Sequence, residues 1–280
     1  MTRETRPYNP RDTSCETVLF DLDDCLYYRP EMSRQVSQNI QKYMVEFLHI
    51  PEDEVEGLSR ELYAKHGTTL CGLVNALGKK IDYTHWHQHV HWNLDYESYL
   101  QPDTVLKNML QQMPVRKFVF TNADRKHALI CLSLLGLSEC FNPDDIICFE
   151  TLLEMAHGGH LEDHVLKKHG IPDGHGIVCK PQPLAFELAM ARVGGDVTST
   201  VFFDDSARNI ASAHTCGIYS VLVNPNRIDS LYDMHIKSIH DVPYQLPWLT
   251  DVSDGINHSA EKVDATRIFS EEETPVTVQA

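Results

Sequence analysis

One stretch decides the fold of this chain: Val18-Leu19-Phe20-Asp21-Leu22-Asp23-Asp24-Cys25-Leu26-Tyr27. Its first three residues are apolar and predict a buried parallel strand, since β-branched and aromatic side chains suit a sheet that is packed on both faces. Three carboxylates then follow within four residues. Such crowded negative charge is costly unless a cation or a reaction uses it. The alternative interpretation is a turn that happens to be rich in Asp, a residue that turns favour.

The rest of the chain alternates short apolar runs with helical patterns. The runs that predict strands are Lys117–Phe120, Asp145–Phe149, Thr200–Ser206 with its acidic end, and Tyr219–Val223. The helical patterns between them cover Arg125–Leu135, Leu184–Val193 and Ala207–His214. This alternation predicts an α/β fold with a doubly wound parallel sheet. The Gly- and His-rich stretch Thr151–Gly176 is interpreted as a long loop with one helix near Leu161–Lys168.

Polar residues follow three of these strands at their carboxyl ends, where parallel α/β sheets bind ligands. They are Asp21 with Asp23, Thr121 with Asn122, and Asp204 with Asp205, and Lys180 lies at a loop-to-helix junction between the last two pairs. A capping Thr-Asn, an Asp pair in a turn or a solvated lysine would be unremarkable alone. All of them at one edge of the sheet predict a functional site.

The chemistry that fits these residues is phosphoryl transfer through a carboxylate. Asp21 would be the nucleophile and form an aspartyl-phosphate, which splits hydrolysis into two easier steps. Asp23 would protonate the leaving oxygen and then activate water. Thr121 with Asn122 would donate hydrogen bonds to the phosphoryl oxygens, and Lys180 would neutralise their charge.

A divalent cation would bring a dianionic phosphate beside these carboxylates. Mg²⁺ is the expected ion because it is a hard cation that prefers oxygen ligands. Its predicted ligands are Asp21, the backbone carbonyl of Asp23, and the pair Asp204 and Asp205.

Between the first two strands the sequence predicts helices and no convincing strand. The helical patterns cover Arg29–His49, Pro51–Gly67, Thr68–Leu77, Tyr83–Trp92 and Val105–Met113. We therefore expect a helical module at residues 29–101, inserted into an α/β core of residues 16–28 and 102–245. Residues 1–15 are expected to form a flexible leader, and residues 246–280 a disordered acidic tail.

Charge and composition narrow the class of partner. The chain has 280 residues and a formal net charge of -16. This charge argues against nucleic acid or an anionic membrane as a partner, since both require basic patches. The negative charge is compatible with a phosphorylated substrate, because a bound cation can offset the charge of the phosphate. No run reaches transmembrane length, and the N-terminus lacks the apolar core of a secretory signal. Nothing in the pattern indicates an oligomeric state.

Eight cysteines and sixteen histidines bear on redox state and metal binding. No two cysteines form a CxxC pair, so we expect free thiols in a reduced intracellular compartment, with the cytoplasm preferred and the nucleus as an alternative. Four histidines lie in residues 85–92 at i, i+4 spacings, which would suit a zinc site. No HExxH motif or Cys pair accompanies them, and a packing or exposed role is the preferred interpretation.

The motifs resemble those of the haloacid dehalogenase superfamily. Phe20–Tyr27 resembles the first motif, DxDx[TV], with Cys25 where Thr or Val is usual. The second, third and fourth motifs are similar to Phe120–Ala123, Lys180-Pro181 and Phe203–Ser206, in matching order and spacing. The resemblance implies a Rossmann-like core with an inserted helical C1 cap. It also implies that Asp205 contacts the metal directly and that Asp204 does so through water.

A narrower resemblance concerns the pyrimidine 5′-nucleotidase branch of plants and fungi. It is carried by residues 62–73, by His127-Ala128 and by residues 134–137. It implies hydrolysis of a nucleoside 5′-monophosphate such as UMP or CMP, with Tyr63, His66 and Trp92 as candidates for cap-side contacts. Alternatives on the same scaffold are a phosphatase for sugar phosphates or other small metabolites, a phosphomutase, a dehalogenase that needs no magnesium, and a non-enzymatic binding protein with a vestigial site.

Overall fold

The computed structural model describes residues 15–158, 163–172 and 174–250. Its strands are β1 (Thr17–Phe20), β2 (Arg116–Phe120), β3 (Ile146–Ile147), β4 (Thr200–Asp204), β5 (Tyr219–Val223) and β6 (Met234–Ile236). They form one parallel sheet in the order β3-β2-β1-β4-β5-β6. The predicted α/β fold with a doubly wound parallel sheet is confirmed.

Helices connect these strands and cover both faces of the sheet. They are α1 (Pro30–Glu46), α2 (Glu52–His66), α3 (Thr69–Cys71), α4 (Tyr83–Val90), α5 (Tyr96–Tyr99), α6 (Thr104–Gln112), α7 (Arg125–Leu134), α8 (Phe149–His157), α9 (Asp163–Lys168), α10 (Pro183–Val193), α11 (Ala207–Thr215) and α12 (Val242–Gln245). Helix α3 continues into a π-helical turn, Gly72–Ala76. Within the described part of the chain, no helix combines the length and the apolar character needed to cross a bilayer.

Side chains of the central strand alternate between two apolar cores. Val18 and Phe20 pack into the core that contains Leu132 of α7. Leu19 points to the opposite core, which contains Leu152 of α8. Because helices cover both faces, every residue of β1 is buried, as the continuous apolar run predicts.

The strand register brings the carboxyl ends of the central strands to one level. Phe20 lies opposite Val119 of β2 and Phe203 of β4. The N–H of Asp21 donates to the carbonyl of Phe203 at 2.8 Å, so the acidic loop leaves the sheet directly beside the end of β4. The strand order changes direction between β1 and β4, and such switch points are where open α/β sheets bind ligands.

The interpretation of residues 151–176 as a long loop is wrong in its first part. Helix α8 occupies Phe149–His157 and buries Phe149, Leu152 and Ala156, which have helical spacing. Its N-terminus is a capping box in which the Cys148 N–H donates to Thr151 Oγ1 at 3.4 Å. Helix α9 lies within the expected range 161–168, of which residues 161 and 162 lie outside the described residues.

Three smaller differences concern the edges of the fold. Strand β3 pairs only through Ile146 and Ile147, because Phe149 already begins α8. Strand β6 was not predicted, since its three residues carry little pattern. Leu249 is buried in a 3₁₀ turn, so the packed chain extends past residue 245, where the tail was expected to begin. The rest of the predicted tail, 251–280, and residues 1–14 of the predicted leader lie outside the described residues.

Residues 29–101, here called the helical region, are all described and form helices without a strand. They hold a third apolar core around Met44, Leu62 and Trp86, which Ile177 of the α/β part joins. Tyr96 packs instead into one of the two cores of the sheet. The inserted module and its exact boundaries stay a prediction.

All eight cysteines lie among the described residues, and each of them is free. Five are buried and three are partly exposed. Free thiols agree with the expectation from the missing CxxC pairs. Buried thiols of this kind pack as small apolar side chains.

Candidate active site

Asp21 follows β1 directly, and its side chain is almost buried, with 7% of the residue exposed. Its Oδ1 lies 2.8 Å from Nζ of Lys180. Burial raises the pKa of Asp21 to about 8, because the negative charges of Asp204 and Asp23 add to desolvation and outweigh the lowering effect of Lys180. Additional positive charge beside Asp21 would therefore stabilise its anionic form.

Lys180 is a buried cation that joins three groups. Its Nζ donates to Asp204 Oδ2 at 2.7 Å and to the Phe120 carbonyl at 2.6 Å, in addition to its contact with Asp21. Burial disfavours the charged amine, but the charges of Asp204 and Asp21 raise the pKa of Lys180 above its ordinary value. The alternative of a solvated surface lysine is wrong, since only 1% of the residue is exposed.

Asp204 and Asp205 differ in what surrounds their carboxylates. Asp204 is fully buried, and both of its oxygens accept hydrogen bonds from Asn209 Nδ2, at 3.0 and 3.1 Å, while Oδ1 also accepts from the Ser206 N–H. Within the described part of the chain, no hydrogen bond reaches the carboxylate of Asp205. Burial and the negative charges of Asp204 and Asp21 raise the pKa of Asp205 to about 9. Asp205 is therefore the better placed of the two to contact a cation directly.

Thr121 and Asn122 follow β2 beside these acids. The Thr121 Oγ1 accepts from the Ala123 N–H at 3.0 Å, which leaves its own proton available for a ligand. The Asn122 side chain donates to the Lys180 carbonyl at 3.0 Å and accepts from the Lys180 N–H at 2.9 Å. The Asn122 side chain thereby fixes the backbone of Lys180, and the role of Asn122 as a donor to the phosphoryl oxygens stays a prediction.

Asp23 contacts two residues that the sequence did not single out as site residues, Tyr27 and His127. The Tyr27 hydroxyl donates to Asp23 Oδ1, and Nε2 of His127 lies 2.7 Å from the same oxygen. Burial alone would raise the pKa of Asp23, but the charge and hydrogen bonds of these neighbours lower it to about 2. The sequence signals for His127 were its place at the start of the helix after the second motif and the narrower resemblance that His127-Ala128 helps to carry.

Asp24 has a structural task. Its φ of 56° lies in the left-handed region, which Asp tolerates better than most residues. Its carboxylate accepts from the Ser33 hydroxyl at 2.6 Å and from the Arg29 N–H at 3.2 Å. Asp24 therefore ties the acidic loop to the start of α1.

A cavity of about 540 Å³ lies between the strand ends and the helical region. On the strand side it is lined by Asp21, Asp23, Thr121, Asn122, Lys180 and Asp205. On the other side it is lined by apolar residues that include Met32, Val36, Ile40, Trp86 and Val90, and by polar residues that include Ser37 and Gln41. Of the three cap-side candidates, Tyr63 lines this cavity, whereas His66 and Trp92 do not.

The histidines of residues 85–92 form two pairs. His85 and His89 pack against the ring of Phe47, each with a centroid distance of 4.7 Å, which agrees with the preferred packing role. His87 and His91 face Asp124, and ligand atoms of these three residues lie within 4.8 Å of one another.

In the group of His87, His91 and Asp124, the positions of His91 and Asp124 are also explained by hydrogen bonds. Asp124 Oδ2 lies 2.6 Å from Nδ1 of His91, and Oδ1 accepts from Trp92 Nε1 at 2.9 Å and from the His127 N–H at 3.1 Å. Asp124 is thereby the N-cap of α7. We interpret this group as a hydrogen-bonded support for the helix that carries His127.

Comparison with known proteins identifies the class. A family model for haloacid dehalogenase-like hydrolases matches residues 15–217, and the chain belongs to this family of hydrolases. The resemblance inferred from the four motifs is thereby confirmed at the level of the superfamily.

Individual relatives are distant. Phosphate metabolism protein 8 from Saccharomyces cerevisiae is 24% identical over 221 residues, which cover 75% of this chain and 62% of the yeast protein. A HAD phosphatase from Thermococcus onnurineus shares the fold, with 17% identity, a TM-score of 0.51 and coverage of 84% of this chain and 99% of that chain. The putative HAD-hydrolase YfnB from Bacillus subtilis, bound to magnesium, has 16% identity, a TM-score of 0.52 and coverage of 84% and 100%.

Proposed function

We propose that this hydrolase is a Mg²⁺-dependent phosphatase that cleaves a phosphate monoester through an aspartyl-phosphate. One observation carries the proposal: the buried amine of Lys180 joins Asp21 to Asp204 at the edge of the sheet, beside Asp205 and facing the cavity. A nucleophilic carboxylate next to a fixed cation, with further carboxylates to hold a metal, is the set of groups that phosphoryl transfer through an aspartate requires.

Mg²⁺ fits the residues that are present. Carboxylate oxygens of Asp21, Asp204 and Asp205 lie within 4.8 Å of one another, and this all-oxygen set suits a hard cation. Asp21 and Asp205 would hold the ion together with the backbone carbonyl of Asp23, and Asp204 would act through water because its oxygens are engaged. When bound, the ion offsets the negative charge of the phosphoryl group and of the carboxylates around it.

In the first step, a carboxylate oxygen of Asp21 attacks phosphorus, and the bond from phosphorus to the leaving oxygen breaks. The neighbours of Asp23 hold it ionised in the free protein, so it takes up a proton when the substrate binds and then delivers that proton to the leaving oxygen. The Thr121 hydroxyl and the backbone N–H of Asn122 donate to the phosphoryl oxygens, while the charge of Lys180 stabilises them at short range. The products are the alcohol and the phosphorylated Asp21.

In the second step, the ionised Asp23 takes a proton from water, and the oxygen of that water attacks phosphorus. The bond between phosphorus and Asp21 breaks, and inorganic phosphate leaves. Asp23 thereby regains a proton in the product complex, so one group serves as acid and then as base.

A nucleoside 5′-monophosphate is the proposed substrate, and the helical region is its proposed cap. The cavity of about 540 Å³ lies within the range of small-molecule sites. Trp86 forms part of the apolar wall of this cavity, and Ser37 and Gln41 offer hydrogen bonds. The name of the yeast relative, Phosphate metabolism protein 8, agrees with a phosphate-containing substrate.

Asp21→Asn tests the mechanism, because it keeps the shape of the side chain and removes the nucleophile. We expect phosphate release to be abolished while the circular dichroism spectrum stays unchanged. The measurement is the initial rate on a panel of nucleotide and sugar phosphates, with Mg²⁺ and with a chelator. Asp144→Asn is the matched control, since the Asp144 side chain is 96% exposed.

Three outcomes of this assay would point elsewhere. Phosphate release that survives Asp21→Asn would contradict the nucleophile. Halide release from a 2-haloacid in the presence of chelator would favour a dehalogenase. Turnover equal to buffer on every ester would favour a binding protein.

A further inference from the structure

We propose that His127, with Tyr27, is a positioning residue for Asp23, and that it holds one carboxylate oxygen so that the other faces the leaving group. This inference rests on the proposed phosphatase function and names what directs its general acid. Tyr27 ends the stretch that resembles the first motif, and His127 lies outside all four motifs, but neither was among the predicted site residues.

The contacts of Asp23 are one-sided. The Tyr27 hydroxyl and His127 Nε2 both meet Oδ1, the latter at 2.7 Å. Among the described residues, no hydrogen bond reaches Oδ2, and the Asp23 side chain is 38% exposed in the cavity wall. A carboxylate held at one oxygen by two partners keeps its second oxygen in a defined direction, which is the geometry that a general acid requires.

His127 is itself fixed from behind. Its ring is 1% exposed, and Nδ1 lies 2.8 Å from the hydroxyl oxygen of Tyr96. That hydroxyl donates its proton to the His91 carbonyl at 3.0 Å, so its oxygen accepts from the Nδ1–H of His127. With Nδ1 occupied in this way, the Nε2 of His127 is directed to Asp23. The backbone N–H of His127 also donates to Asp124, the N-cap of α7.

Two substrates with different leaving groups can distinguish a residue that positions Asp23 from a residue that only supports the fold. An alkoxide leaving from a nucleoside 5′-monophosphate needs a proton from Asp23, whereas a nitrophenolate leaves without one. The parameter kcat/KM reports all steps up to departure of the leaving group, and hydrolysis of the phosphorylated Asp21 does not enter it. Misdirected Asp23 therefore lowers kcat/KM for the alkyl ester selectively.

The experiment uses the full chain with UMP and with p-nitrophenyl phosphate. For His127→Phe we expect kcat/KM for UMP to fall about 100-fold, within the range of general acid catalysis, and kcat/KM for the nitrophenyl ester to fall less than about threefold. Tyr27→Phe should show the same selectivity with a smaller loss. His127→Gln keeps a donor near the Nε2 position and should recover part of the UMP activity. This variant also keeps the inference testable if His127→Phe fails to fold.

Two variants calibrate this result. Asp23→Asn should show the full selective loss, since it removes the acid itself. Cys131→Ala alters the packing around the same ring, because the thiol lies 3.6 Å from His127 Nε2 and 3.7 Å from the Tyr27 hydroxyl. Among the described residues, the thiol makes no hydrogen bond to Asp23. This variant should change both esters by the same small factor.

Equal losses on the two esters in His127→Phe and Tyr27→Phe would overturn the inference. So would a stoichiometric transition metal that is present in the unaltered protein and missing from the His127 variants, since Asp23, His127 and Cys131 offer ligand atoms within 4.8 Å of one another. If the unaltered chain cleaves neither ester, the proposed function itself fails, and this inference fails with it.

Discussion

Lys180 sets the charge balance of the site. Its Nζ lies 2.8 Å from Asp21 and 2.7 Å from Asp204, and the ring centroids of Phe120 and Phe202 are 5.0 and 5.2 Å away. Removing one partner of a buried ion pair costs about 3–5 kcal/mol, because the other charge is left without compensation. Replacing Lys180 alone would therefore destabilise the folded protein, in addition to its effect on the proposed reaction.

His87 is a buried residue with an unfavourable protonated form. It is 4% exposed, and neither of its ring nitrogens has a hydrogen-bond partner among the described residues, although Nδ1 lies 3.4 Å from Asp124 Oδ2. Burial lowers the pKa of His87 from 6.5 to about 3. Between these pH values the unfolded chain binds a proton that the folded chain does not. Acidification therefore lowers the free energy of unfolding by about 1.4 kcal/mol per pH unit through this residue.

We expect His87→Phe to remove this acid sensitivity. Between pH 7 and pH 5, the variant should gain about 2 kcal/mol of unfolding free energy relative to the unaltered protein, as measured by urea unfolding at both pH values. His89→Phe on the same helix is the control, because His89 is only partly buried. Equal pH dependence in the unaltered protein and in His87→Phe would contradict the lowered pKa.

Residues that the strands bring to the sheet edge could be predicted from the sequence. Asp21 and Thr121 each follow an apolar run directly, Asp204 ends one, and parallel strands end at a common edge. His127 could not be placed beside Asp23 in this way. That contact depends on which side of α7 faces the cavity, and the tertiary packing of Tyr96 and Asp124 decides it.

Helix α8 shows how composition can hide an element. The stretch after residue 150 is rich in Gly and His, which favours a loop interpretation, yet Phe149, Leu152 and Ala156 have the spacing of a buried helical face. A run of apolar residues just before it also resembled a longer strand. Periodicity alone cannot assign a short apolar run to a strand or to a helix. In this case the residues from Phe149 onward form a helix, which packs against α10.

Leu152→Ala tests whether α8 is part of the core. Leu152 is 1% exposed within the apolar core that also contains Phe186 of α10. We expect the free energy of unfolding to fall by about 3 kcal/mol, since removing a buried leucine loses apolar burial and leaves a cavity. Glu154→Ala on the exposed side of the same helix should change it by less than about 0.5 kcal/mol. Equal small effects in urea unfolding would indicate a solvated loop.

At the scale of the whole molecule, a few polar contacts join the helical region to the α/β part. Asn75 Nδ2 donates to the Ile177 carbonyl at 2.8 Å, and Asn75 Oδ1 accepts from the Ile177 N–H at 2.8 Å. Gly67, with a φ of 89°, passes so close to the Lys180 carbonyl that a Cβ would lie 2.2 Å from it. The helical content of residues 29–101 could be predicted from the spacing of apolar residues in the sequence. These contacts could not be predicted, because they join distant parts of the chain and no local sequence pattern indicates them.

Arg208 of α11 makes the contact between the two parts that is best suited to a test. Its Nη1 donates to the carbonyls of Tyr63 and Ala64 at 2.8 and 2.6 Å, and its guanidinium lies 4.5 Å from the Tyr63 ring centroid. Tyr63 also lines the cavity, so this contact holds one wall of the proposed substrate site.

We expect Arg208→Ala to raise KM for a nucleoside monophosphate about tenfold, because a charged hydrogen bond contributes about 1.5–3 kcal/mol and its loss loosens this wall of the cavity. The value of kcat should stay within about twofold, since Arg208 does not touch the reacting groups. Arg208→Lys should recover little, since a lysine amine cannot bond two carbonyls and stack on the ring in the same way.

Arg192→Ala is the control, because Arg192 pairs with the exposed Asp144 and does not line the cavity. Steady-state kinetics give both parameters. An unchanged KM in Arg208→Ala would show that the cavity wall formed by Tyr63 does not depend on this contact. A loss confined to kcat would place Arg208 in the chemical step instead.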